Sequence, residues 1–159
     1  MLQIEPMYPK HQSEIELLSV NAQQRAFVGT MEEILVNISD WVHPHVVISE
    51  QQVIGFFLVD TRYSLNVDFC QPDDIGIRAF FIDSRQQGKG YGKLAVSLLK
   101  PYLQRQYPMH HQVYLTVNCR NKIAFHCYEA GGFKDTRALY LGGAAGPQHI
   151  MSLHLTSTS

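Results

Sequence analysis

Little in this chain is in excess, and several shortages narrow its function at once. It has only three cysteines, Cys70, Cys119 and Cys127, odd in number and irregularly spaced. That argues against a disulfide framework and fits a reducing cytosol, where free cysteine packs as a small hydrophobe. Charge of one sign is also lacking: 13 Lys and Arg stand against 14 Asp and Glu, a net charge of −1. Without a basic surface there is no footprint for a nucleic-acid backbone. No apolar stretch nears the roughly 20 residues that span a bilayer. No basic segment followed by an apolar one opens the chain as a signal peptide would, so a cytoplasmic protein is expected. Eight histidines invite a metal reading, above all His43-x-His45 and His110-His111. Neither pair has a Cys, Asp or Glu at zinc-site spacing and both adjoin prolines in predicted loops, so no metal is expected.

What is present reads as one globular domain over residues 1–159. Hydrophobic residues make up 45% and charged residues 17%, which rules out a disordered chain. A domain of this size buries about 68–70% of its unfolded surface. Repeats, low-complexity stretches and linkers are absent. Leu2 to Glu5 alternates as a first strand. His11 to Val20 predicts a helix with Ile15, Leu18 and Leu17 inward, and Met31 to Ile38 a second, capped by Thr30 with Glu32 and Glu33 in its first turn. Trp41 to Pro44 reads as a connection. Val46–Ser49 and Val53–Val59 predict two strands joined by a polar turn, followed by a loop over residues 63–74. Ile75–Ile82 is the fourth strand. The next helix places Leu94, Leu98 and Tyr102 on an inward stripe, with a kink or early end at Pro101. Gln112–Asn118 alternates strictly, with Val113, Leu115 and Val117 on one face. Asn121–Ala130 predicts a helix closed by Gly131-Gly132, and Phe133–Leu141 and His149–Leu155 two last strands about a Gly142–Pro147 turn. Strands and helices about a central sheet give an α/β or α+β class.

The stretch that organises the chain is Arg85–Lys93, Arg-Gln-Gln-Gly-Lys-Gly-Tyr-Gly-Lys, with glycines at alternate positions. An apolar strand precedes it and a helical pattern follows. Glycines let a ligand approach the backbone, and a helix start offers unpaired N–H groups and a positive dipole end to a phosphate. The same glycines also fit a plain turn. A Walker A string is absent, and the third glycine follows too soon for a dinucleotide fingerprint. The reading is a pyrophosphate cradle for another phosphorylated ligand.

Gln87-Gly-Lys-Gly-Tyr-Gly92 resembles the Gln/Arg-x-x-Gly-x-Gly/Ala signature of the GNAT superfamily of N-acetyltransferases. Downstream, Asn121-Lys-Ile-Ala-Phe-His-Cys-Tyr-Glu-Ala-Gly-Gly-Phe133 is similar to that family's Asn-x-x-Ala-x-x-x-Tyr-x-x-x-Gly-Phe segment. The two lie in the family's order, separated by one helix and one strand. The resemblance implies the GNAT fold, a mixed and mostly antiparallel sheet flanked by helices and splayed between its fourth and fifth strands. It implies acetyl-coenzyme A as cosubstrate. Backbone groups of Phe80, Phe81 and Ile82 would bind the pantetheine arm, and Gln87, Gly88, Lys89, Gly90, Tyr91, Gly92 and Lys93 the pyrophosphate. Asn121 would contact the cofactor arm.

Tyr128, two helical turns beyond Asn121, would be the general acid that protonates the leaving thiolate. A phenol with a pKa near 10 holds its proton at neutral pH; simple packing between helix and sheet is the other reading of such a tyrosine. For a general base Glu32, Glu33, Asp40, Asp60, Asp73 and Asp74 all remain open. Some relatives carry an acidic residue just before the Phe-Phe-Ile triplet, where this chain reads Ile77-Arg78-Ala79. The expected function is direct acetyl transfer, within a ternary complex, to a primary amine of a small, polyamine-like molecule. The acceptor class rests on Val20–Val28, which resembles the substrate-side segment of polyamine-type acetyltransferases, and on the acidic candidates available to meet a cation. The alternatives are a peptide or protein N-acetyltransferase and a non-catalytic acyl-coenzyme A-binding module. The expected partner is a small amine rather than nucleic acid or membrane, and the C-terminal edge strands are compatible with a homodimer.

Overall fold

Seven apolar segments of strand length collect into one sheet in the computed structural model, which describes residues 1–18 and 30–155. They are β1 (Leu2–Pro6), β2 (Val42–Ser49), β3 (Gln52–Asp60), β4 (Ile75–Ile82), β5 (Gln112–Asn118), β6 (Lys134–Tyr140) and β7 (Gln148–His154). The order across the sheet is β1-β2-β3-β4-β5-β7-β6. Every neighbouring pair is antiparallel except β4 and β5. Those two run parallel and pair only at Ile75 with Val113 and Gly76 with Tyr114. Beyond Gly76 they separate, which is the expected splay.

Helices cover both faces. α1 (Gln12–Glu16) and α2 (Met31–Leu35) lie on one, α3 (Tyr91–Gln106) and α4 (Lys122–Ala130) on the other. A strand between two helical layers buries both sets of side chains, so β3 reads as a continuous apolar run. Phe56 and Leu58 pack with Ile15 and Ile34, while Phe57 and Val59 pack with Leu99 and Leu103.

The edges of the elements differ from their sequence readings for local reasons. α1 ends at Glu16, and Leu17 points to solvent at 69% exposure while Ile15 and Leu18 are buried. Residues 19–29, including the whole polyamine-like segment Val20–Val28, lie outside the described residues. Thr30 caps α2 by accepting from the Glu33 amide at 3.2 Å, but the helix stops at Leu35. Val42-His-Pro-His45 is not a connection: it opens β2 and pairs with β3 out to Asp60. The inward face of α3 is Ala95, Val96, Leu99, Tyr102 and Leu103, whereas Leu94 is 47% exposed. Four residues turn a helix by about 400°, so a row at four-residue spacing winds off the buried side. α3 also runs through Pro101 to Gln106. The hydrogen bond that proline forfeits is outweighed by burial of Leu99, Tyr102 and Leu103 around it.

Candidate active site

The splay opens a cleft of about 980 Å³ between β4 and β5. It is a gap in the plane of the sheet, so β5 lines it with consecutive residues, Leu115 to Asn118, rather than with one alternating face. β4 is bent along this edge. Its register with β3 shifts between Phe56 and Leu58, and Ala79 takes a left-handed φ of 56°. Such a bulge re-aims the side chains that follow it. Phe80, Phe81 and Ile82 all line the cleft, and beyond Gly76 this side of β4 has no strand paired to it.

The glycine-rich stretch closes one mouth. Gly88 and Gly90 hold φ values of 82° and 80°, Gly90 as the N-cap of α3. A Cβ at either would meet nothing within 4 Å. Left-handed backbone and open space in front of a 16-residue helix are what an anion cradle requires, and the chain fits a pyrophosphate there. Tyr91, Gly92 and Lys93 also line the cleft. Lys89 does not: its ammonium bonds the Gln86 side chain at 3.2 Å. Gln87 lines the cleft too, yet its amide donates to the Ile82 carbonyl at 3.0 Å and ties the loop to the end of β4. Arg85 fixes the same turn through Asp83, with Nη2 to Oδ2 at 2.8 Å.

Tyr128 projects from α4 into the opposite wall. Asn121 caps that helix, its Oδ1 accepting from the Ala124 amide at 3.3 Å, and it too borders the cleft. At the other end the Phe133 amide donates to the Tyr128 carbonyl at 3.0 Å and the Gly132 amide to Glu129 at 3.1 Å. This is a Schellman closure, with Gly132 at φ 110° supplying the left-handed residue. Its hydrophobic contact is Phe133 against Tyr128, ring centroids 5.6 Å apart, and Phe80 closes on Tyr128 at 5.9 Å. The phenol is therefore fixed by the end of its own helix. Burial, with a smaller contribution from the Cys127 thiol, pushes its pKa above the ordinary value.

The other end of the cleft is polar, and the sequence reading assigned nothing there. Arg78 on β4 donates from Nη1 to Asp60 Oδ2 at 3.3 Å and from Nη2 to Asn37 Oδ1 at 3.2 Å. Asn37, Asn66, Thr116 and Gln148 stand with it along the wall. One signal was available in the sequence: Arg78 is the sole charge in an otherwise apolar strand. Of the six carboxylates considered as a base, none is among the described residues lining the cleft. Asp60 is fully buried behind Arg78, where it also accepts from the Arg62 amide at 2.9 Å. Among the described residues no three His, Cys, Asp or Glu gather as a metal set. No helix among them is long and apolar enough to cross a membrane.

A mixed sheet parted between two parallel strands, with a glycine-rich helix start at its mouth, defines the N-acetyltransferase fold of the GNAT superfamily. The chain belongs to the acetyltransferase (GNAT) family, whose profile matches residues 7–133, and it is an acetyltransferase. It is 25% identical over 131 residues to an uncharacterised N-acetyltransferase, YbbJ, of Bacillus subtilis (strain 168), covering 80% of this chain and 81% of that one. Among solved structures it is similar to the aminoglycoside acetyltransferase AAC(6')-Ib in complex with coenzyme A, with TM-score 0.75, 18% identity, and 97% and 95% of the two chains covered. A spermidine N-acetyltransferase from Vibrio cholerae, in complex with CoA and spermine, gives 0.68 and 19% over 97% and 95%. The ribosomal-protein-S18-alanine N-acetyltransferase from Escherichia coli gives 0.68 and 17% over 100% and 97%. At these identities the structural likeness establishes the shared fold.

Proposed function

We propose that residues 1–159 form a single N-acetyltransferase domain that moves an acetyl group from acetyl-coenzyme A to a primary amine of a small molecule. The observation that carries this reading is the cleft itself, with an open glycine cradle at one mouth and a buried phenol in its wall. Bound acetyl-coenzyme A supplies a thioester whose acetyl carbon bonds the amine nitrogen as its bond to sulfur breaks. The chain's part is largely positioning. Amides of Gly88 through Lys93 and the start of α3 hold the pyrophosphate, with Lys93 adding charge. The free edge of Phe80–Ile82 takes the pantetheine arm as a sheet edge takes a strand. Asn121 meets the same arm. Tyr128 keeps its proton through neutral pH and would give it to the departing thiolate, the proton that the amine nitrogen loses as the amide forms restoring the phenol, and a raised pKa favours the protonated form.

Free-thiol release from acetyl-coenzyme A across a panel of amines, in wild type and Tyr128→Phe, tests the reading. Turnover with at least one amine class is expected, falling by about 10²- to 10⁴-fold in the phenylalanine variant. The Tyr128→Phe protein should keep its fold, because the ring contacts with Phe80 and Phe133 need no hydroxyl. Near-normal turnover in that variant would remove Tyr128 from the mechanism. Coenzyme binding without turnover on any amine or peptide would favour a binding module.

A further inference from the structure

The acceptor end of the cleft has a charge pattern unlike one built for a polycation. Among the described residues its exposed charge is Arg78, held from two sides by the buried carboxylate of Asp60 and by Asn37. Asn37 is itself anchored, its Nδ2 donating to the Glu33 carbonyl at 3.1 Å. The guanidinium is thus preset in direction, and two of its five N–H donors are committed. Its side chain remains 34% exposed, on the cleft wall. Asp60 has no exposed surface. No Asp or Glu lines the cleft among the described residues, and residues 19–29 contain none. A polyamine entering here would find no carboxylate for its further ammonium groups. A carboxylate would find the remaining N–H donors of a guanidinium.

We infer that the amine acceptor carries a carboxylate, which docks on Arg78 while its amine points toward Tyr128. The inference rests on the acetyl-transfer reading and adds the acceptor's chemical class, an amino acid rather than a polyamine or aminoglycoside. Placement supports it. Arg78 lies two residues before Phe80, whose ring packs on Tyr128 at 5.9 Å, and Arg78 and Tyr128 both line the cleft, so one small molecule can meet both. Lys93 belongs to the cradle on α3 and leaves Arg78, among the described residues, as the cation at this end.

The test compares kcat/KM for matched acceptors: each amino acid, its amide and its decarboxylated amine, with spermidine and kanamycin as polycations and ethanolamine phosphate as another anion. The free acids should exceed their amides and decarboxylated partners by at least about tenfold, through KM. Arg78→Met alone would strand the buried Asp60 charge, so the informative variant is Asp60→Asn with Arg78→Met. It should bring the preference close to one with coenzyme A affinity unchanged, and Arg78→Lys should retain part of it. Faster turnover of the polycations, a lead for ethanolamine phosphate, or a preference that survives the double variant would each overturn the assignment. If no acceptor is turned over, the transfer reading fails for these amines and calorimetry decides the inference separately. N-acetyl amino acids should then bind the coenzyme-loaded protein more tightly than their amides, and the double variant should abolish the difference. Equal binding, or none, would overturn it.

Discussion

His45 is buried in β2 with Tyr102 on one ring nitrogen, at 2.5 Å, and Tyr107 on the other, at 2.9 Å. Tyr107 also meets His43 Nδ1 at 2.9 Å, and His43 Nε2 lies 2.8 Å from the Asp40 carbonyl. A carbonyl only accepts, so His43 Nε2 donates. With both imidazoles neutral, Tyr107 then donates to His43, His45 Nε2 donates to Tyr107, and Tyr102 donates to His45 Nδ1. The ring nitrogens of His43 and His45 and the hydroxyls of Tyr102 and Tyr107 are all partnered in that one direction. Burial, helped by His43, lowers the His45 pKa to about 3. The unfolded chain takes up this proton below about pH 6.5 and the native protein does not. Stability from this group is therefore full above about pH 6.5 and lost as the pH falls toward 3, with about 2 kcal/mol gone by pH 5. Urea unfolding at pH 7 and pH 5 should show that loss in wild type. His45→Phe, whatever its stability at pH 7, should show a correspondingly shallower pH dependence. Equal slopes would mean that His45 is charged in the folded protein.

At the scale of elements, α3 and α4 touch closely enough to dictate a residue. A Cβ on Gly131 would lie 2.3 Å from Val96 Cγ1 and 3.0 Å from the Val96 carbonyl carbon. Gly131 has an ordinary φ of −86°, so its reason is space, whereas the neighbouring Gly132 is held by its left-handed φ. Gly131→Ala should cost about 1–3 kcal/mol by overpacking. It should also lower turnover, because the Gly131 amide donates to the Tyr128 carbonyl at 3.1 Å. Thermal melts and thiol release check both effects. Adding Val96→Ala should recover part of each, and a double variant no better than the sum of its single changes would show that the clash is not the cause. The Gly131-Gly132 helix end was legible in the sequence. The division of labour between the glycines was not, because only the packed α3 supplies Val96.

The whole molecule is a sheet divided by its own topology. β1 to β4 form one antiparallel set, β5, β7 and β6 another, and two residue pairs join them. A ligand spanning both sets adds a link to the two residue pairs and the shared core that already join them. Acetyl-coenzyme A at about 100 times its Kd should raise stability by about 2.7 kcal/mol, a shift of several degrees in Tm for a chain of this length. Gly90→Val, which forces a branched residue to φ 80° at the helix cap, should lose most of that shift while Arg78→Lys keeps it. An undiminished response in Gly90→Val would place the coenzyme elsewhere.

The sequence alone determined the family, the class of fold and the ends of β4 and β5. Each of these is written locally: alternate glycines before a helix, a spaced Asn, Ala, Tyr and Gly-Phe along one helix, and short apolar strands. It misread the inward row of α3 and the start of β2, because burial is decided by which neighbour arrives and local pattern does not carry that information. Only the tertiary structure set Arg78 against Asp60 and Asn37, residues 18 and 41 positions away. Among the described residues it also left the cleft without a carboxylate wall. Acceptor chemistry depends on side chains gathered from separate elements, and their charges combine only once the sheet has formed and parted.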